Sequence, residues 1–303
     1  MATLNDLLSG GGAILLDGAL GTELAHRGVA TTLPLWSAAA LKTAPHVIRD
    51  IHRDYREAGA QILTANTFRT TPFTYRLTGQ NKTTARDSAR SATRQAVSLA
   101  REAAADLALV AGSLAPVGDC YDPAAYPGDT EARENYGQLA PWLAEDGADL
   151  LLLETQVTLQ EARIALEAAA ATGLPVLVSY LVDLRLRLWD GTPLPAAVQL
   201  AEHAGAHGVL VNCVTLPVAA AAVEALATMA RLPFGVYANA GRSQPSTEGV
   251  IEELLPDDDF VAAAARWVTA GARFIGGCCG TTPATIESLA RRLAALANHG
   301  QRL

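Results

Sequence analysis

The sequence of 303 residues predicts a (β/α)8 barrel occupying 1–303 as a single domain. Three observations carry that prediction. Short β-branched or leucine-rich runs recur eight times, at 13–16, 61–64, 107–111, 150–153, 176–179, 208–211, 234–237 and 273–276. Runs this short, with few polar members, read as buried strands. Alanine-rich amphipathic stretches separate most of them, and that alternation defines a parallel α/β fold. Finally, acids, amides and thiols collect just after the runs and not before them, which in a barrel puts them on the C-terminal rim.

The elements follow in order. Gly10-Gly11-Gly12 precedes the first run, so it serves as a lead-in and not as a phosphate cradle. The turn after that run has no GxGxxG pattern, which weighs against an open doubly wound sheet. Over 45–58, Val47, Ile48, Ile51 and Tyr55 fall at spacings suited to one helical face. Another long helical stretch covers 83–105. No helix is assigned between the third and fourth runs. Helices are then predicted at 159–171, 195–204, 217–230, 259–270 and 283–298, the last with Thr282 as N-cap and Pro283 at the first helical position. Gly59, Gly147, Gly173, Gly205 and Gly271 stand where helices should stop.

Composition narrows the function. With 50% hydrophobic and 18% charged residues, the chain can build a large core. A formal net charge of −8 argues against general nucleic-acid binding. The apolar stretch 214–230 is broken by Pro217 and Glu224 and falls short of a membrane span. Residues 1–8 carry Asp6 and no basic residue, so no secretory leader is expected. Four cysteines in a chain of this length suit a reducing compartment, and a cytoplasmic protein is predicted. Lys42 and Lys82 are the only lysines, and neither follows a run, which removes the Schiff-base chemistry found on many barrels.

The residues expected on the rim are Asp17, Asn66, Ser113, Glu154, Tyr180, Cys213, Asn239, Cys278 and Cys279, one or two per run. Cys278 and Cys279 are adjacent inside Gly276-Gly277-Cys278-Cys279-Gly280-Thr281-Thr282-Pro283. Their α-carbons stand about 3.8 Å apart, too close for a relaxed disulfide. Three readings stay open on the residues alone: thiols packed as small hydrophobes, a strained vicinal disulfide, or a metal site. Cys213 at the end of another run favours the last, because three thiolates from two strand ends would bind zinc and leave its fourth position open for catalysis. Cys120 reads as a loop thiol outside that set.

These stretches, taken together, resemble the homocysteine S-methyltransferase family, whose members are zinc-dependent barrels that methylate a thiol. The resemblance runs through Asp17-Gly18-Ala19-Leu20-Gly21-Thr22-Glu23-Leu24, Leu35-Trp36-Ser37, His52-Arg53-Asp54-Tyr55-Arg56-Glu57-Ala58-Gly59-Ala60, Thr64-Ala65-Asn66-Thr67-Phe68 and Leu153-Glu154-Thr155. It closes with Val211-Asn212-Cys213 and the double-cysteine segment, which are highly specific as a pair. The resemblance implies that Cys213, Cys278 and Cys279 hold Zn²⁺ and that Asp17 and Glu154 take the substrate ammonium. It also implies that backbone at Gly18, Ala19 and Leu20 takes the substrate carboxylate. Asn239 is a further candidate for substrate binding. Two segments depart from the family pattern: 237–245, where Arg242 stands at a place commonly acidic, and 182–190 with Arg185 and Arg187.

The expected chemistry follows. A free thiol near pKa 8.5 is mostly protonated at neutral pH, and zinc favours its thiolate. Because one barrel uses nearly the whole chain, no cobalamin or folate module is expected, and a small sulfonium such as S-methylmethionine or S-adenosylmethionine is the predicted donor to homocysteine. Trp36, Phe68, Tyr121 and Tyr126 are candidates to face that cation. The alternatives are methylation of another thiol, methyl delivery to a corrinoid partner, and a barrel that binds amino acid or zinc without catalysis. The partners predicted are therefore a small-molecule thiol and a methyl donor, with neither nucleic acid nor membrane.

Overall fold

A computed structural model of the chain describes residues 2–246 and 250–300. Eight parallel strands, β1 (Ile14–Leu15), β2 (Ile62–Thr64), β3 (Leu109–Leu114), β4 (Leu150–Gln156), β5 (Val176–Tyr180), β6 (Gly208–Asn212), β7 (Phe234–Ala238) and β8 (Phe274–Gly277), run in the order β1-β8-β7-β6-β5-β4-β3-β2. The two ends of that ribbon meet. Leu16 bridges Ile62 in parallel, the Gln61 N–H donates to the Leu15 carbonyl at 2.7 Å, and the Asp17 N–H donates to the Ile62 carbonyl at 3.0 Å. The sheet therefore closes into the predicted (β/α)8 barrel. All eight predicted runs overlap a strand; the third starts two residues later than expected and continues through Ser113.

The pleat of period two decides what each strand turns inward. In the lower barrel Ile14, Ile62, Leu109, Leu150, Leu177 and Phe274 form a separate interior cluster. Its base is covered by α1 (Leu4–Ser9), with Leu4 buried and Leu7 and Leu8 packed against the cluster. Thr3 and Asp6 make a capping box at its start, and Gly10 is its C-cap. The triple glycine thus ends a helix that periodicity over so few residues could not reveal. Higher on the same inward face the register places Thr64, Ser113, Glu154, Ser179, Asn212 and Tyr237. Hydrophobic layers below and polar groups above are what a rim site needs.

Helices α2 (Leu20–His26), α3 (Ala40–Thr43), α4 (Pro45–Glu57), α5 (Pro72–Arg76), α6 (Lys82–Ala104), α7 (Asp129–Glu145), α8 (Leu159–Ala170), α9 (Leu194–His203), α10 (Leu216–Met229), α11 (Asp257–Thr269) and α12 (Pro283–Gly300) complete the chain. The seven predicted helices correspond to α4, α6 and α8 to α12. The predicted stops at Gly59, Gly147, Gly173, Gly205 and Gly271 all adopt φ between 73° and 105°. Helix α7 was not anticipated because Pro141 lies inside it and Gly137 one turn earlier. Packing overrides both: Ala132, Tyr136, Leu139, Ala140 and Leu143 are buried on one face. Among the described residues no helix is long and apolar enough to cross a membrane.

Gly235 of β7 shows how tightly the strands meet. A Cβ there would stand 2.2 Å from the Phe274 carbonyl oxygen and 2.5 Å from the Phe274 Cβ. Neither atom can retreat without moving β8. Gly235→Ala is therefore expected to destabilise the protein by at least about 1–3 kcal/mol. Urea denaturation should show a lower midpoint with an unchanged slope.

Candidate active site

Cys278 and Cys279 leave the end of β8, and Cys213 leaves the end of β6. Their three sulfurs lie within 4.8 Å of one another, with Cys213 Sγ and Cys279 Sγ 3.8 Å apart. All four cysteines are free thiols, so the vicinal-disulfide reading does not describe this state. Strand β7 aligns the two chain ends. The Cys278 N–H donates to the Ala238 carbonyl at 2.7 Å, the Ala240 N–H to the Cys279 carbonyl at 2.9 Å, and the Cys213 N–H to the Tyr237 carbonyl at 3.2 Å. Cys213 itself takes a left-handed conformation, φ 57°, which costs an L-residue about 1–3 kcal/mol. A Cβ at Gly277 would stand 2.3 Å from Thr281 Oγ1, so only glycine admits the turn that presents the double cysteine.

The sulfurs share one proton balance. Thiol hydrogen bonds from Cys278 and Cys279 hold Cys213 well below the ordinary thiol range. Their hydrogen bonding to Cys213, together with burial, pushes Cys278 and Cys279 up. Without a cation the cluster thus favours one thiolate supported by two thiols. Three converging sulfur donors fit a thiophilic metal ion, whose charge would draw off the remaining protons.

Two carboxylates open on the same space. Asp17, just past β1, accepts the Thr64 N–H at 2.7 Å on Oδ2 and the Thr64 hydroxyl at 2.9 Å on Oδ1. Burial pushes its carboxyl up to about 7 against those two hydrogen bonds. Glu154 lies within β4 and not after it, two residues short of the strand's end. It accepts the Ser113 hydroxyl on Oε1, and the Tyr237 hydroxyl stands 3.5 Å from Oε2. Burial pushes this carboxyl up to about 7 as well; Ser113 works against the rise, and the charges of Asp17 and Cys213 add to it.

The loop over Gly18, Ala19 and Leu20 is fixed from below. The Ala19 N–H donates to Thr281 Oγ1 at 3.2 Å, and the Tyr55 hydroxyl lies 3.2 Å from both the Ala19 and the Thr281 carbonyls. Both acids, this loop and the three cysteines line one cavity of about 120 Å³, walled also by Trp36 and Phe68. One water needs about 10–15 Å³ by the same measure, so several heavy atoms fit.

Not every predicted residue reaches this cavity. Asn239 is fully buried and does not line the cavity: its side chain hydrogen-bonds the Cys213 sulfur and helps to lower that thiol, Nδ2 donates to Gln244 Oε1 at 3.3 Å, and Oδ1 is unpartnered. Tyr180 turns outward: its hydroxyl donates to the Ala197 carbonyl of α9 at 3.0 Å, so the expected rim position is a sheet-to-helix contact. Ser179, one residue earlier, faces inward and donates to Asn212 Oδ1 at 2.7 Å. Asn66 lines the cavity and braces the Ser37 loop through two hydrogen bonds. Cys120 is buried in the cavity wall but outside the three-sulfur cluster. The Tyr121 hydroxyl stands 2.9 Å from Cys213 Sγ, whereas the Tyr126 hydroxyl donates to Asp129 and does not line the cavity. Of the two atypical segments only Tyr237 lines it, and Arg242 is exposed beside Glu253. Sequence reasoning missed Arg69, which lines the cavity one residue beyond the recognised Thr64–Phe68 stretch.

A closed (β/α)8 barrel with three sulfurs and two acids converging on its C-terminal rim defines a barrel enzyme with a metal-capable site. The chain belongs to the homocysteine S-methyltransferase family, whose profile matches residues 14–293. It is 34% identical to the homocysteine S-methyltransferase of Escherichia coli strain K12, over 95% of this chain and 98% of that one. It is 29% identical to a selenocysteine Se-methyltransferase of Brassica oleracea, over 93% of this chain and 89% of that one. The crystal structure of the homocysteine methyltransferase MmuM from Escherichia coli in its metallated form superposes with a TM-score of 0.80 at 32% identity, covering 95% of this chain and 99% of that one.

The titration of Glu154 gives a direct test of its burial. A carboxyl raised to about 7 binds more protons in the folded than in the unfolded protein between about pH 4 and 7. Its contribution to stability is full below the unfolded pKa and is lost as pH rises through the folded one. Glu154→Gln has no such titration. The variant is therefore expected to gain stability relative to the native protein between about pH 5 and 8. Urea midpoints of the two proteins, measured across that range without substrate, should converge or cross in that sense; parallel curves would refute the shift.

Proposed function

We propose that the protein is a zinc-dependent methyltransferase that moves a methyl group from a small sulfonium donor, S-methylmethionine or S-adenosylmethionine, to homocysteine, giving methionine. One observation carries the reading: Cys213, Cys278 and Cys279 open on the same cavity as Asp17 and Glu154. A three-thiol site suits zinc with a position left for substrate, and the paired acids suit an ammonium. Membership of the family supports homocysteine as acceptor, and the metallated relative supports a metal at the cysteines.

When bound, zinc supplies a Lewis acid that favours the thiolate form of the acceptor sulfur. The rest is the work of side chains. Thr64 orients Asp17, while Ser113 and Tyr237 orient Glu154, so an ammonium meets two carboxylates already in place. Its charge favours ionisation of both, and binding of homocysteine should release protons below about pH 7. The Ala19 N–H is engaged by Thr281, which leaves Gly18 and Leu20 as the backbone donors for the substrate carboxylate. Holding the amino acid at one end fixes its sulfur at the cluster, where transfer forms one carbon–sulfur bond as the donor's breaks. The Trp36–Phe68 pair, edge to face with centroids 5.7 Å apart, offers aromatic surface to the sulfonium.

The purified, reduced protein is expected to hold about one zinc per chain. Each of Cys213→Ser, Cys278→Ser and Cys279→Ser should lose most metal and activity, and Cys120→Ser should lose neither. Full occupancy in the Cys278→Ser/Cys279→Ser double variant would refute the ligand set. Mass spectrometry of product from a panel of thiols and donors tests the reaction. Tight metal with no product from any pair would leave an amino-acid-binding barrel instead.

Asp17→Asn and Glu154→Gln test the ammonium grip. Loss of a charge-assisted hydrogen bond should weaken homocysteine use by roughly 10- to 150-fold, mostly in KM, with zinc content unchanged. In the native protein the KM for homocysteine should rise as pH falls through about 7, because protonation removes both negative charges. A thiol without an amino group should show neither effect.

A further inference from the structure

Among the described residues Arg69 is a cation with no anion at ion-pair distance. It is 9% exposed, and it is the one basic residue among the described residues that line the cavity. One amino group donates to the Gly118 carbonyl at 2.8 Å, and the guanidinium carbon lies 5.6 Å from the centroid of the Phe68 ring. Nε is buried without a hydrogen-bond partner, and among the described residues Arg69 forms no ion pair. Buried charge without a counter-ion is an unfavourable arrangement that folding alone does not explain. Cys120 does not neutralise it, since burial pushes that thiol far up despite the nearby guanidinium. Asp17 and Glu154 are hydrogen-bonded elsewhere, to Thr64 and to Ser113.

A guanidinium with unused N–H groups in a small-molecule cavity matches a carboxylate. The acceptor's carboxylate already has its place at Gly18 and Leu20 in the reading above, which leaves the second substrate. A sulfonium centre would be repelled by Arg69, which lies over Phe68, so the donor must turn a negative group toward it and its cationic end toward Trp36. We propose that Arg69 determines donor specificity by binding the carboxylate of the methyl donor, so that only sulfonium compounds bearing a carboxylate are used well. This rests on the sulfonium reading of the reaction.

The test compares Arg69→Gln and Arg69→Lys with the native zinc-loaded enzyme, using S-methylmethionine and the carboxylate-free trimethylsulfonium ion as donors. Arg69→Gln should raise the KM for S-methylmethionine about 10- to 150-fold while the KM for homocysteine stays within about twofold. Zinc content should not change, and the rate with trimethylsulfonium should not fall, because the substitution removes a repelling charge and no anchor for that donor. Arg69→Lys, which keeps the charge, should recover part of the loss and covers the case in which the glutamine variant does not fold. A rise in the KM for homocysteine instead would assign the anchor to the acceptor and overturn the proposal. Equal losses with both donors, loss of zinc, or no change would overturn it too. If the native enzyme transfers no methyl from any sulfonium, calorimetric titration with S-methylmethionine decides. Binding that Arg69→Gln weakens keeps the anchor while the donor reading falls; binding that is absent or insensitive to the substitution overturns both.

Discussion

The Thr281 hydroxyl donates to the Cys278 carbonyl at 2.7 Å and accepts the Ala19 N–H at 3.2 Å, so one oxygen joins the loop carrying two sulfurs to the loop that follows the buried aspartate. Strands β1 and β8 pair over only two residues, and the Gly277 N–H extends that ladder by donating to the Asp17 carbonyl at 3.0 Å. The hydroxyl adds a second tie beyond it. It also explains the glycines on either side. A Cβ at Gly18 would stand 2.7 Å from Thr281 Oγ1, and one at Gly277 closer still. Tyr55 completes the clamp from α4 beneath, tying the outer helical layer to the rim.

Around that clamp the protein concentrates charges it does not itself neutralise. Two carboxyls are lifted toward neutrality by burial, a thiol cluster is left short of the cation it would need, and one guanidinium stands without an anion among the described residues. Each group is oriented by neutral hydrogen-bonding partners: Thr64 for Asp17, Ser113 and Tyr237 for Glu154, the Gly118 carbonyl for Arg69. Orientation without neutralisation keeps the groups available to ligands, at the expense of stability in the empty protein. Hydrophobic layers in the lower barrel support that imbalance.

Much of this was legible because a barrel writes its function at fixed places. Strand runs could be counted, and the residue after each run pointed to the rim. Glu154 and Ser113 were found that way even though both lie inside their strands. Tyr180 was not, because one step along a pleat reverses a side chain, and a run's last residue cannot be told from its neighbour by composition. Helix α7 was hidden by Pro141, whose local cost is outweighed by burial that only the fold supplies. Arg69 was hidden for the opposite reason. An arginine in a loop ordinarily reads as solvated, and its lack of a counter-ion is a property of three dimensions. The first run was found, but not that its strand would pair with β2 through a single bridge, Leu16 to Ile62, since pairing leaves no mark in composition.

The left-handed backbone at Cys213 narrows the sequences open to this site more than metal chemistry alone would. Glycine, asparagine and aspartate enter that conformation most readily, but none offers a sulfur. Branched residues that might fill the same volume meet the steric penalty in full. Cysteine is tolerated there as a backbone and supplies the sulfur. Aspartate and histidine are the exchanges that this backbone also admits and that still offer a metal donor, oxygen or nitrogen in place of sulfur. An exchange here would therefore trade a soft donor for a harder one, and only cysteine keeps a thiolate.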